Sequence, residues 1–175
     1  MRARSYLAVL VFVASIGAAE ETTVILSAEP SQTKAAAFGK HADRCSLSAT
    51  LRLTNINSSG GWSPGAHVSF TQSMEHRPYG KVEFFIIPNR ETDHIVAGYR
   101  VLDNDREVKV ELLQNLPLSA SVQVTMKIDN GLVMLSVPPL DPITFQTRLI
   151  VAAPSASVSS GSVEVTSDIS PSPCW

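Results

Sequence analysis

The chain has 175 residues and a formal net charge of −2, from 14 Lys plus Arg against 16 Asp plus Glu. That length accommodates one domain with a real core. There is no basic tract for nucleic acid and no polybasic patch for an anionic membrane.

The first element is a targeting segment. Arg2 and Arg4 form a basic n-region, Tyr6 to Ile16 is an apolar run of 11 residues, and Gly17-Ala18-Ala19 offers small residues for cleavage before Glu20. The run is too short to span a bilayer, and no later stretch approaches the roughly 20 apolar residues a membrane helix needs. We therefore expect a signal peptide at 1–19, a single domain at 20–175, and a secreted or periplasmic location. A short membrane anchor is the alternative. Loss of Arg2 and Arg4 would leave 12 Lys plus Arg against 16 Asp plus Glu, a net charge of −4. Export implies an oxidising compartment, so the two cysteines, Cys45 and Cys174, are expected to form one disulfide, with two free thiols as the alternative.

Thr22 to Ser27 reads as a short strand. Ala28 to Arg44 reads mostly as loop, because Pro30 and Gly39 confine the Ala35-Ala36-Ala37 run. From Cys45 to Leu53 apolar residues alternate with Ser, Thr and Arg, the pattern of a half-buried strand with Cys45 inward. Asn55 to Gly65 is rich in turn residues. Ala66, Val68 and Phe70 mark the next strand. Val82 to Ile87 is apolar on both faces and should lie centrally in a sheet. Ile95 to Leu102 returns, with Gly98 as a candidate bulge, and Asp103-Asn104-Asp105 turns the chain. Val108, Val110 and Leu112 then alternate with Glu107, Lys109 and Glu111, which puts the three charged residues on a wet face.

Val122 to Val137 is a hairpin. Asn130 and Gly131 tolerate the positive φ of a type I′ turn. The register pairs Ile128 with Val133, Met126 with Leu135 and Val124 with Val137 on one dry face. Thr125 and Ser136, Lys127 and Met134, and Asp129 and Leu132 fall on the other. Ile143 to Val151 and Gly161 to Val165 supply the last strands. Strands recur with turns between them and no amphipathic helical pattern persists, so the fold class is all-β: a two-sheet antiparallel sandwich with little or no helix in the mature chain.

Three segments together resemble the concanavalin A-like, or laminin G-like, jelly rolls: LSATLRLTNINSSGGWSPGAHVSF, YGKVEFFIIPN followed by HIVAGYRV, and VQVTMKIDNGLVMLSV. The similarity runs from Leu47 to Val137, with a closing strand at Gly161 to Val165. An immunoglobulin-like sandwich is the structural alternative. The resemblance implies binding of glycans or proteins, and in some members glycoside hydrolysis. The Glu-x-Asp-x-x-Glu string of one hydrolase branch is absent here. A legume-type calcium site cannot be matched residue by residue.

No catalytic set emerges. A retaining glycosidase needs two carboxyls about 5 Å apart, and Glu107, Glu111 and Glu83 are the nearest candidates, read here as solvated strand residues. Asp103, Asp105 and Glu107 could offer oxygens to Ca²⁺, but a DND string is also ordinary turn chemistry. His41, His67, His76 and His94 are scattered, and no zinc, nucleophile-elbow or phosphate-loop string is present. Trp62, in GGWSPG, is the candidate ligand-binding residue, since an indole there could stack on a sugar ring; folding inward to cap the sandwich edge is the alternative. Tyr79 and Tyr99 read as rim or core. Asn57-Ser58-Ser59 is an N-glycosylation sequon. The expectation is a secreted, non-catalytic binding module without a cofactor, its partner a glycan or another extracellular ligand. A structural or protein-interaction module and a divergent glycoside hydrolase are the alternatives.

Overall fold

The computed structural model describes residues 20–29, 32–56, 64–72, 80–89, 91–104 and 106–169, with backbone alone at 20–24, 55 and 161–169. Its strands build two antiparallel six-stranded sheets. The first runs, in spatial order, β1 (Glu20–Ser27), β12 (Gly161–Ile169), β3 (Arg44–Ile56), β8 (Val122–Asp129), β9 (Leu132–Ser136), β10 (Ile143–Gln146). The second runs β2 (Thr33–Ala37), β11 (Ala153–Ser159), β4 (Gly65–Thr71), β5 (Gly80–Pro88), β6 (His94–Asp103), β7 (Arg106–Pro117). The described residues contain no helix.

The sheets face each other across one apolar core. Leu47, Ala49 and Leu51 of β3 and Val124, Met126 and Ile128 of β8 meet Val68 and Phe70 of β4, Phe84 and Ile86 of β5, and Ile95 and Tyr99 of β6. Period-2 alternation puts each inward set on one face of its strand. The hairpin takes the register expected from its sequence: Ile128 opposes Val133, Met126 opposes Leu135, and Lys127 opposes Met134. Asn130 and Gly131 hold φ of 47° and 84°, as the turn demands. β5 lies between β4 and β6, where a strand apolar on both faces belongs. Gly98 sits at a register shift in the β6–β7 ladder. A Cβ there would stand 2.6 Å from the Glu111 carbonyl oxygen and 2.8 Å from the Phe85 ring.

Four expectations about the strands fail. The stretch read as loop between Ala28 and Arg44 contains β2, an exposed edge strand whose alanines carry little strand signal. β11, APSASVS, was not expected as a strand at all. Serine and a proline dominate it, and it pairs between β2 and β4 through its backbone. The sense of β7 is reversed. Val108, Val110 and Leu112 are 60%, 45% and 64% exposed. Glu111 and Lys109 instead pair with the inward Tyr99 and Val101. The strand expected from Ile143 to Val151 also ends early, at Gln146.

Candidate functional site

The outward face of β4, β5 and β6 carries a charged cluster. Ser69, Glu83 and Arg100 stand side by side across the three strands. Lys81 lies two residues before Glu83 and so on the same face. His67 lies two before Ser69. Adjacent strands about 4.8 Å apart thus bring together residues remote in sequence.

Glu83 is 1% exposed. Its Oε2 accepts from Arg100 Nε at 2.9 Å and lies 3.1 Å from Lys81 Nζ; its Oε1 lies 2.6 Å from His67 Nδ1. The His67 contact is close, but Nδ1 misses the alignment of a good hydrogen bond. Burial alone would raise the Glu83 pKa. His67, Lys81 and Arg100 outweigh burial and hold the carboxyl well below the ordinary carboxylate range. Glu83 is therefore not the solvated strand residue expected from sequence. It is an ionised group enclosed by cations, and the cations form the accessible surface: the Lys81 and Arg100 side chains are 22% and 36% exposed. Beside them runs a line of hydroxyls. Ser69 Oγ lies 3.0 Å from Ser155 Oγ and 3.4 Å from Thr71 Oγ1.

Charge arithmetic describes this face further. On the outward positions of β4, β5 and β6, Glu83 is the only carboxylate, against Lys81, Arg100 and His67. Two fixed cations to one anion leave a net positive spot on a chain of net charge −2.

A second constellation sits at the inner edge of β7. Tyr99 Oη donates to Glu111 Oε2 at 2.7 Å. The Tyr99 ring stacks on Phe145 of β10, centroids 5.2 Å apart, so the contact bridges the two sheets. Lys109 Nζ lies 5.0 Å from the Tyr99 centroid and 5.3 Å from that of Phe145. Burial raises the Tyr99 pKa, and the bond from Tyr99 lowers that of Glu111. The contact braces the sandwich, and Lys109 and Glu111, 3.4 Å apart, stay about half exposed at the edge of the sheet. Glu107 and Glu111 do not share a face, since across the register shift Glu107 pairs with the outward Leu102 and Glu111 with the inward Tyr99.

Asp103, offered as a calcium oxygen, pairs with Arg148 at 3.2 Å and accepts from Asn104. Asp105 lies outside the described residues. No group of three or more His, Cys, Asp or Glu fit to hold a metal occurs among the described residues. A cleft of about 330 Å³ opens between the sheets, with Lys81, Leu102, Asp103, Val108, Arg148 and Leu149 among its walls. Lys81 borders both this cleft and the cluster.

Trp62, Asn57, His76, Tyr79 and Cys174 lie outside the described residues, as do 1–19. Cys45 is buried on the inner face of β3, as expected. His41 is exposed, and His94 begins β6 away from the cluster. His67 was read as one of four scattered histidines; pairing across the strands brings it to Glu83. The usable signal was Glu83 itself, a lone carboxylate in a strand otherwise apolar on both faces. A buried charge requires partners.

No family model matches the chain, and no curated protein matches its sequence. Solved structures do match in fold. An alginate lyase from Pseudomonas aeruginosa aligns with a TM-score of 0.53 and 16% identity, over 73% of this chain and 62% of the lyase. The chain thus spans less than two thirds of that enzyme's length. A β-glucanase from Bacillus licheniformis aligns with a TM-score of 0.52 and 9% identity, over 90% of this chain and 79% of the enzyme. The carbohydrate-binding module CBM66 from Bacillus subtilis aligns with a TM-score of 0.52 and 6% identity, over 84% and 86%. At these identities what is shared is the architecture.

Proposed function

We propose that this chain, a jelly-roll sandwich of the concanavalin A-like fold, is an exported, non-catalytic module that binds a glycan on the outward face of β4, β5 and β6. The observation that carries the reading is the Glu83 cluster. A charge buried at the centre of an outward sheet face is weak evidence for stability, because desolvation offsets most of the ion-pair gain. What the arrangement does supply is rigidity. Arg100 spends Nε on Glu83, and its guanidinium carries four further N–H donors. Glu83 thereby fixes the position of two long cationic side chains that would otherwise lose rotamer entropy on binding. The hydroxyls of Ser69, Thr71 and Ser155 extend the polar strip.

Two of the fold neighbours, the glucanase and the binding module, support carbohydrate as the ligand class. The non-catalytic reading rests on the single carboxylate. Hydrolysis with retention needs a second carboxyl about 5 Å away, and the described outward positions of these strands hold none. Arg100→Lys tests the reading, because it keeps a positive charge beside Glu83 and removes the planar fork of donors. Binding on a glycan array should fall at least about tenfold, roughly 1.4 kcal/mol, with the melting temperature nearly unchanged. Equal binding by both proteins would move the ligand off this face.

Export and a Cys45–Cys174 disulfide complete the proposal. In the chain-entropy model so long a loop contributes about 4–5 kcal/mol. Mass spectrometry of an unreduced digest of exported protein should show the linked peptides. Alkylation of both thiols in native protein would contradict the disulfide and weaken the compartment.

A further inference from the structure

β7 is the outermost strand of the second sheet, and no described strand pairs with its far edge. From Arg106 to Leu112 it is exposed on both faces. An exposed strand of this length carrying Val108, Val110 and Leu112 is a template for another strand. The ladder to β6 shifts register between Ala97 and Gly98 and again between Val101 and Leu102. Lys109 to Leu112 therefore form a regular window between two irregularities.

The sequence of that window is complementary to itself. An antiparallel pair of two β7 strands centred on Val110 places Val110 against Val110′, the prime marking the second copy. Lys109 then faces Glu111′ and Glu111 faces Lys109′. Paired residues share a face with Cβ atoms about 4.5–5.5 Å apart, so both ion pairs lie on one face and the Val110 pair on the other. A shift by two in one direction centres the pair on Lys109 and sets lysine on lysine. A shift by two in the other centres it on Glu111 and sets glutamate on glutamate. Like charges directly opposed destabilise a ladder. A slip by one would set the outward face of one sheet against the inward face of the other. Edge lysines ordinarily discourage pairing; here Glu111 answers Lys109 in this one register.

We infer that two copies of this chain associate through β7 in the Val110-centred antiparallel register, joining two six-stranded sheets into one of twelve. The two-fold axis stands perpendicular to the joined sheet, so the outward faces of both copies point the same way. Arg100 lies directly across from Val110. The order along one line becomes Glu83, Arg100, Val110, Val110′, Arg100′, Glu83′. Three strand spacings separate the two Arg100 positions, about 14 Å. If that face binds glycan, as proposed above, the dimer is bivalent toward one extended polymer, with the gain in avidity that tethering gives. The dimer itself stands independently of the ligand. A single strand pair is a small interface, so association belongs on the order of micromolar.

Sedimentation equilibrium of the full mature protein tests this. The mass should rise from one chain to two across a micromolar concentration series. Lys109→Glu alone sets glutamate on glutamate twice and should weaken association at least tenfold, as should Glu111→Lys alone. The double reversal of both residues restores the complementarity and should restore the dimer. Val110→Cys gives an independent arm that does not depend on charge: under mild oxidation it should yield a covalent dimer linked Cys-to-Cys through position 110. A single-chain mass up to about 1 mM overturns the inference. So does a dimer that neither single reversal weakens, or a dimer in which Val110→Cys fails to cross-link.

Discussion

β8 and β7 carry nearly the same sequence pattern and use it in opposite senses. In β8, Val122, Val124, Met126 and Ile128 alternate with polar residues and point into the core. In β7, Val108, Val110 and Leu112 alternate in sequence with Glu107, Lys109 and Glu111 just as regularly, yet Val110 and Leu112 pair with the outward Arg100 and Gly98, and Val108, at a register shift, is exposed. The difference lies in the neighbours. β8 is held on both sides, by β3 and β9, and the Asn-Gly turn fixes its register. Among the described strands β7 pairs with β6 alone, where the inward residues Tyr99 and Val101 draw Glu111 and Lys109 to their side. Tyr99 then gives Glu111 a hydrogen bond, and the stacked rings of Tyr99 and Phe145 accept Lys109. Alternation supplies a strand's period; its sense comes from the strand beside it.

Substitutions in the two strands test this contrast. The largest effect is expected in β8. Met126 is fully buried, so Met126→Lys should cost about 3–5 kcal/mol by chemical denaturation, from lost packing and a desolvated charge. Val108→Lys in β7, measured at sub-micromolar protein to exclude association, should stay within about 0.5 kcal/mol. Similar losses at the two positions would erase the distinction between the strands.

Glu83→Gln comes next. It leaves Lys81, Arg100 and His67 around a neutral amide and should cost about 2–3 kcal/mol at neutral pH. The pH dependence has a definite sign. Glu83 has a folded pKa depressed below its ordinary value of 4.5. Its stabilisation is present above about pH 4.5 and is lost as pH falls toward the folded pKa. The gap between wild type and Glu83→Gln should therefore be widest near neutrality and shrink below pH 4.5. A gap that widened on acidification would contradict an ionised Glu83.

Gly98→Ala probes the bulge between β6 and β7. The new methyl meets the Glu111 carbonyl and the Phe85 ring, so the loss should be about 1–3 kcal/mol. A neutral result would mean that the edge strand yields easily. The smallest effect belongs to Lys127→Met on the wet face of the hairpin, within about 0.5 kcal/mol.

The same contrast explains what the sequence disclosed. Turn chemistry and pattern agree in the β8–β9 hairpin, so its register could be read residue by residue. β5 announced its central place through Phe84, Phe85 and Ile86. β2 and β11 stayed hidden because Ala and Ser carry little pattern, and their pairing is a matter of backbone. Cys45 was readable as inward, whereas its proposed partner Cys174 and the candidate Trp62 lie outside the described residues. The Glu83 cluster spans three strands, with Arg100 17 residues from Glu83. No local motif encodes it. Only the misplaced charge in VEFFII hinted that something must answer it.

The outward face of β4, β5 and β6 is the proposed ligand face. The most direct measurement is glycan-array binding by the mature protein beside Arg100→Lys and Trp62→Ala, with melting temperatures taken in parallel. A glycan bound by the wild type should be held at least about tenfold more weakly by Arg100→Lys, at a nearly unchanged melting temperature. Weakening by Trp62→Ala as well would extend the site to the segment before β4. Undiminished binding by Arg100→Lys, whatever Trp62→Ala does, would contradict it.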